Sequence, residues 1–219
     1  MLMILAWVVT KAATGWSPVR RGITAVALLL FLMASVLQPG SKVQGRVTEA
    51  AAELNAFFTL GEQDAAVGSR LAMWTLGVEG IKNAGLFGHG ANGWIHARDA
   101  AVADGRLDGF SSEFTHLHNE YLDVTFKRGL LGLLLYLALY FVPMWMFFKP
   151  YLNESNRSSD IRALALAGIV IPMMFMDFGL TQTFLSHNSG RIILCSFWMC
   201  VAGLILNTTE SVCDSQNVV

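Results

Sequence analysis

The stretch from Gly129 to Phe148 carries no charged residue and is bounded by Lys127-Arg128 before it and Lys149-Pro150 after it. A segment of about 20 apolar residues matches the hydrocarbon thickness of a bilayer. A chain crossing that region must be helical, because no water is present to satisfy its backbone. Three further stretches have the same character: Ile23 to Leu37, Ala163 to Phe178 and Arg191 to Leu206. Leu2 to Val9 is apolar but too short to cross. It lacks the basic start and cleavage site of a signal peptide, so we read it as the end of a longer helix. Composition agrees, with 54% hydrophobic residues, 14% charged and a mean hydropathy of +0.49, against about 25% charged in soluble domains. These figures exclude a soluble globule, a disordered chain, collagen and a coiled coil. The fold class expected is all-α, a polytopic integral membrane helical bundle.

Short loops fix orientation, since basic residues in them stay cytoplasmic. Residues 10–21 carry Lys11, Arg20 and Arg21 with no acid, and residues 149–162 carry Lys149, Arg157 and Arg162 against Glu154 and Asp160. Both belong inside, and the alternation of spans agrees. The organisation expected is therefore 1–37 as a partial span plus one transmembrane helix, 38–128 as a large external loop, 129–206 as three transmembrane helices, and 207–219 as a cytoplasmic tail. In a Gram-negative cell the external side is the periplasm. A loop this long is functional more often than merely connecting.

Within that loop, Thr48–Leu60 can form a helix. Asp64–Asn83 reads as one through Leu71, Trp74, Val78 and Ile81 at helical spacing. Gly85–Trp94 should be irregular, Ala97–Phe110 a flexible polar excursion, and the chain should turn helical again near Thr115. We expect no soluble domain with its own core.

Four of the five histidines, His89, His96, His116 and His118, lie in this loop. His116-Leu117-His118 invites a metal reading, because imidazoles two apart on a strand face one way. On a helix they point to nearly opposite sides, and no cysteine or carboxylate spacing completes a ligand set, so no metal is expected. His118 adjoins the start of a span beside Asn119, Tyr121 and Leu122. A neutral imidazole there can take a proton from a sugar hydroxyl, or can simply face water. Asn119 can orient a substrate or cap the helix. Glu120 and Asp123 are expected to be solvated, with Asp123 and Lys127 able to pair at i,i+4.

Arg70 borders the apolar stripe of the loop helix one turn before Trp74. Its planar guanidinium suits a phosphate or diphosphate, and it equally suits snorkelling to lipid headgroups. The run Gly88-His89-Gly90-Ala91-Asn92-Gly93 matches GxGxxG but lacks the βαβ context of a dinucleotide site. Gly88 and Gly90 instead permit a tight backbone path that can come close to a ligand. Asp177 lies near the outer end of a span, where an acid is a functional suspect. The net charge of −1 and pI near 6.5 offer no basic face for nucleic acid. Cys195, Cys200 and Cys213 are too few and too late in the chain for a disulfide framework.

Three pieces in order resemble the C-terminal part of the O-antigen ligase and O-antigen polymerase family of bacterial inner-membrane glycan transferases. They are Arg70-Leu71-Ala72-Met73-Trp74 followed by Leu86-Phe87-Gly88-His89-Gly90, then Thr115-His116-Leu117-His118-Asn119-Glu120-Tyr121-Leu122, then Arg128-Gly129-Leu130-Leu131-Gly132-Leu133-Leu134. The resemblance covers about Arg20 to Leu206. It implies a multi-pass protein of the inner membrane that takes a glycan from undecaprenyl diphosphate and transfers it to an acceptor hydroxyl at the periplasmic face. The implied reaction inverts the anomeric carbon without metal, cofactor or nucleotide sugar, in lipopolysaccharide or surface polysaccharide assembly. Its partners would be the lipid-linked glycan, a lipid A-core or glycan acceptor, and membrane lipids. By position His118 matches the family's proposed base, and Arg70 an arginine proposed to neutralise the diphosphate. His116, Asn119, Trp74, Gly88 and Gly90 are the substrate-binding candidates. The family arrangement has more spans, and a second arginine that normally precedes the span of which Leu2–Val9 is the end. Related readings are a repeat-unit polymerase and a protein O-oligosaccharyltransferase, which share the donor. A transporter or flippase component would need polar groups through the spans, which these nearly lack.

Overall fold

The computed structural model describes residues 17–38, 42–152 and 159–217, and these are helical with no strand among them. The Leu2–Val9 stretch, residues 10–16 of the first basic loop and 153–158 of the second lie outside the described residues. Among the described residues seven α-helices follow in order: α1 (Pro18–Leu37), α2 (Lys42–Leu60), α3 (Ala66–Ile81), α4 (Gly93–Ala103), α5 (Glu120–Leu152), α6 (Ser159–Phe178) and α7 (Asn188–Asn217), with one 3-10 turn at Gly109–Glu113. The chain divides into two compact units, Met1–Leu71 and Ala72–Val219.

In the first unit, Ser17 caps α1 by accepting from the Arg20 N–H, and Pro18 occupies the first turn, where its missing N–H costs nothing. Helix α1 contains the apolar stretch Ile23–Leu37 and exposes Ile23, Val26, Leu30 and Phe31. Helix α2 buries none of its described side chains. Glu53 caps the start of α3, its Oε2 accepting from the Val67 N–H at 2.8 Å. Gly68 allows the carbonyl of Glu62 to come where a Cβ would sit.

In the second unit, three segments are long and apolar enough to cross a membrane: Glu120–Lys149, Ile161–Phe178 and Asn188–Leu206. They include the three apolar stretches read after residue 128. Helices α5, α6 and α7 pack through Tyr136, Tyr140, Phe147, Ile161, Ala165, Leu194 and Trp198. Gly168 makes room for the Phe147 ring, which would otherwise meet a Cβ at 2.5 Å. The opposite faces display Leu131, Leu135, Trp145, Ile192 and Met199. An apolar outward face is the pattern of a helix solvated by lipid.

The segment expected as a flexible excursion is ordered. Residues from Gly93 to Ala103 form α4, which buries Trp94, Arg98 and Ala101. Polarity misled the reading: Arg98 can be buried because each of its three guanidinium nitrogens makes a hydrogen bond, donating to Asp99 Oδ1 at 2.6 and 2.8 Å and to the Phe114 carbonyl at 2.8 Å. The helix expected near Thr115 begins only at Glu120.

Candidate active site

The His116-Leu117-His118 segment is irregular, between the 3-10 turn and α5. Leu117 fastens it. Its side chain is fully buried and lies against Gly77 of α3, where a Cβ would stand 3.0 Å from the leucine methyl. Its N–H donates to Asp123 Oδ1 at 3.2 Å, and its carbonyl accepts from Trp74 Nε1 at 2.7 Å. Three residues before Leu117, the Phe114 carbonyl accepts from both Trp94 Nε1 and Arg98 Nη1. Lys127 donates to the Thr115 carbonyl and pairs with Asp123 at 2.8 Å.

With Leu117 directed into the protein, its two flanking histidines come together. Their ring centroids are 4.3 Å apart, edge to face. This corrects the helical expectation that set them on nearly opposite sides. The segment is not helical, so the roughly 200° separation of a helix does not apply, and the turn at His118 brings its ring to the side of His116. His118 has φ +51°, the one positive φ outside glycine among the described residues. Backbone held in that region costs about 1–3 kcal/mol and persists where its surroundings over-determine it. Here the surroundings are the Leu117 clamp on one side and the cap of α5 on the other.

Asn119 is that cap. Its Oδ1 accepts from the Leu122 N–H at 3.0 Å, while its Nδ2 donates to the Leu180 carbonyl at 3.1 Å. Glu120 and Asp123, expected in solvent, are 2% and 4% exposed. Glu120 is compensated by backbone: both carboxylate oxygens accept the Leu185 N–H, at 3.0 and 3.1 Å. The Glu120 N–H donates to the Gly179 carbonyl, and Tyr121 Oη donates to the Met176 carbonyl. The start of α5 is thus bolted to the end of α6 and the turn after it.

That turn carries two residues that sequence reasoning passed over. His118 Nδ1 lies 3.3 Å from Gln182 Oε1, and the His187 ring centroid is 6.1 Å from that of His116. Phe114 closes the other side, 4.7 Å from the His118 ring. Burial, with the adjacent His118 imidazole second, pushes His116 from 6.5 down to about 4 against the raising influence of Asp123. His116 is therefore neutral near pH 7. Its Nδ1 is buried with no hydrogen-bond partner among the described residues. No group of three or more side chains arranged to hold a metal occurs among the described residues.

The glycine loop has a different task from the one its motif suggests. Helix α5 breaks at Gly129, with φ +68° and ψ −166°. Residues 85–90 fill the break: the His89 and Gly90 N–H groups donate to the Phe126 and Lys127 carbonyls, and the Leu130 and Leu131 N–H groups donate to the Gly85 and Leu86 carbonyls. Gly88 is there because its backbone lies against that of α5. Gly90 has open space where a Cβ would be. His89 stacks on Phe126 at 4.7 Å and pairs through Nε2 with the Gly80 carbonyl. Trp74 holds the histidine segment through its indole N–H, and Asp177 is exposed. Arg70 belongs to the first unit, half-buried on α3.

The architecture is that of an all-helical membrane protein with a polar, histidine-bearing site built where the long apolar helix α5 begins. The model of the O-antigen ligase family matches residues 1–137, more than half of the chain, and the protein belongs to that family. It is 28% identical over 177 residues to a protein of Escherichia coli (strain K12) named O-antigen ligase, covering 79% of this chain and 39% of that one. It is 27% identical over 179 residues to an uncharacterized protein of Haemophilus influenzae (strain Rd), covering 81% of this chain and 44% of that one. The chain thus spans less than half the length of these curated relatives. Arg70, Trp74, His116, His118 and Asn119 lie within the family match, and Gln182 and His187 lie beyond it.

Proposed function

We propose that this protein is a glycan transferase of polysaccharide assembly, acting at the periplasmic face of the bacterial inner membrane on a glycan carried by undecaprenyl diphosphate. Residues 38–128 would face the periplasm, and the acceptor would be a hydroxyl of lipid A-core, as in a ligase. The observation that carries this reading is the clamp on Leu117, which holds two imidazoles together at the start of a membrane helix in a family named for O-antigen ligation.

In the proposed reaction His118 takes the proton of the acceptor hydroxyl as its oxygen attacks the anomeric carbon. The bond from that carbon to the diphosphate oxygen breaks, with inversion, and the diphosphate leaves carrying the electron pair. Arg70 is assigned to the departing anion, since a guanidinium donates two parallel bonds to phosphate oxygens. Compensation of charge as it develops is where such a group contributes most. The step needs no metal, because the base and the cation supply deprotonation and charge compensation. His116, kept neutral by burial, shapes the pocket beside the base without competing for its proton.

The test is transfer from lipid-linked donor to acceptor by membranes containing matched amounts of each variant. His118→Ala should lose about 100- to 10,000-fold, the usual worth of general-base assistance, and His116→Ala far less. A nearly inactive His116→Ala beside an active His118→Ala would reverse the assignment. Equal loss in both, cured by added zinc, would replace it with a metal site.

A further inference from the structure

We propose that Gln182 is the positioning residue for His118, fixing both the orientation and the tautomer of its imidazole. The inference rests on the reading of His118 as the base, and it extends the site to a segment beyond the family match.

An imidazole can act as a base through one ring nitrogen only if the other carries the proton, and the hydrogen bond made by the second nitrogen decides which form is present. His118 Nδ1 faces the side-chain oxygen of Gln182 at 3.3 Å. An amide oxygen accepts and cannot donate, so this contact is made by the Nδ1–H tautomer. That leaves the lone pair on Nε2, which is buried in the structure without substrate, as the one that takes the acceptor proton when the acceptor is bound. Free imidazole side chains in water favour the opposite form, so the partner at Nδ1 has a real preference to overcome.

Four backbone contacts hold Gln182 in place for this task. The turn between α6 and α7 is tied to the first residue of α5 by the Glu120 carboxylate on the Leu185 N–H and the Glu120 N–H on the Gly179 carbonyl. Asn119 Nδ2 adds a bond to the Leu180 carbonyl, and the Gln182 N–H donates to the Phe178 carbonyl, continuing from the last turn of α6. Thr183, next to Gln182, is almost fully buried. The two residues that follow His118 therefore fasten the turn that presents Gln182 to it. The burial of Glu120 acquires a reason here: a carboxylate paired with backbone N–H groups sets the turn against α5. A neutral amide also suits the position better than a carboxylate would. It orients the ring without holding it in the protonated state, in which it could not accept a proton.

The test is nitrogen NMR on protein labelled with 15N-histidine in lipid nanodiscs. It is recorded at about pH 8.5, two units above the ordinary imidazole value, with His118 assigned by its loss in His118→Gln. The wild-type ring should carry its proton on Nδ1. Gln182→Leu should move the population to the Nε2–H form. Gln182→Glu should keep the Nδ1–H form and raise the pH at which the ring takes a second proton. In transfer assays Gln182→Leu should lower kcat about 10- to 100-fold with little change in acceptor KM, the range met when the partner that orients a metal-bound histidine is removed. Gln182→Glu should restore most of the rate, with the acid limb of its pH profile moved upward. A wild-type ring protonated on Nε2, or an unchanged tautomer in Gln182→Leu, overturns the proposal. A tautomer that follows Gln182 while His118→Ala still transfers glycan upholds the positioning by Gln182 and overturns instead the reading of His118 as the base.

Discussion

Gly88 and Gly129 face each other so closely that neither can carry a side chain. A Cβ on Gly88 would lie 2.5 Å from the backbone nitrogens of Arg128 and Gly129, and one on Gly129 would lie 2.6 Å from the Gly88 nitrogen. Both also have positive φ, +74° and +68°. Gly88→Ala and Gly129→Ala should each cost at least the roughly 1–3 kcal/mol of a strained backbone position, with the clash in addition. Gly109→Ala, which meets open space, is the control. Thermal unfolding in detergent should show large losses in the first two and little in the third. An unchanged melting temperature in Gly129→Ala would mean that the break in α5 is not held by this contact.

Arg70→Lys keeps the charge but loses the planar fork. If Arg70 serves the departing diphosphate, transfer should fall about tenfold or more at equal protein abundance, up to the roughly 100- to 1,000-fold loss that follows removal of a whole stabilising donor. If Arg70 only reaches the membrane surface, lysine serves equally and the rate stays near normal. Initial rates at saturating acceptor separate the two.

His116 makes stability depend on pH with a known sign. Its folded value of about 4 lies below the ordinary 6.5, so between those values the unfolded chain binds more protons at this site. Its contribution is therefore flat above about pH 6.5 and becomes steadily less favourable as pH falls toward 4. The groups that set the shift are the burial itself, His118, Lys127 and His187 lowering it, and Asp123 raising it. His116→Gln should flatten the melting temperature between pH 6.5 and 4 relative to wild type. An equally steep decline in the variant would assign the effect to other groups.

Orientation can be tested by labelling intact cells with a membrane-impermeant thiol reagent, after Cys195, Cys200 and Cys213 have been replaced by serine. A cysteine at Ala103, in the last turn of α4, should label. One at Ser155, outside the described residues, should not label until the cells are permeabilised. The reverse pattern would invert the proposed topology.

Much of the scaffold was legible because it rests on local signals. The uncharged run after Gly129 and the two later apolar stretches correspond to the membrane-type segments of α5, α6 and α7. The periodicity of Leu71, Trp74, Val78 and Ile81 located α3 to within two residues at each end. The i,i+4 pair of Asp123 and Lys127 was readable for the same reason. Local polarity misled where a partner lay far along the chain. Arg98 is buried by its bonds to Phe114, and Glu120 by its bonds to Leu185, 65 residues away. Neither partner is marked in the sequence around the charged residue.

The solvent this protein must live in, the helices it must use there, and the histidines and arginine available for chemistry are all written in short stretches of residues, because apolar content and helical period are properties of short windows. Folding in three dimensions was needed to bring His116 and His118 side by side, to set Gln182 against His118, and to fill a broken helix with the glycine loop. Those outcomes depend on which backbone donors and carbonyls find partners across the fold. A buried polar group accepts whichever partner packing brings to it, and that choice is made between segments distant along the chain.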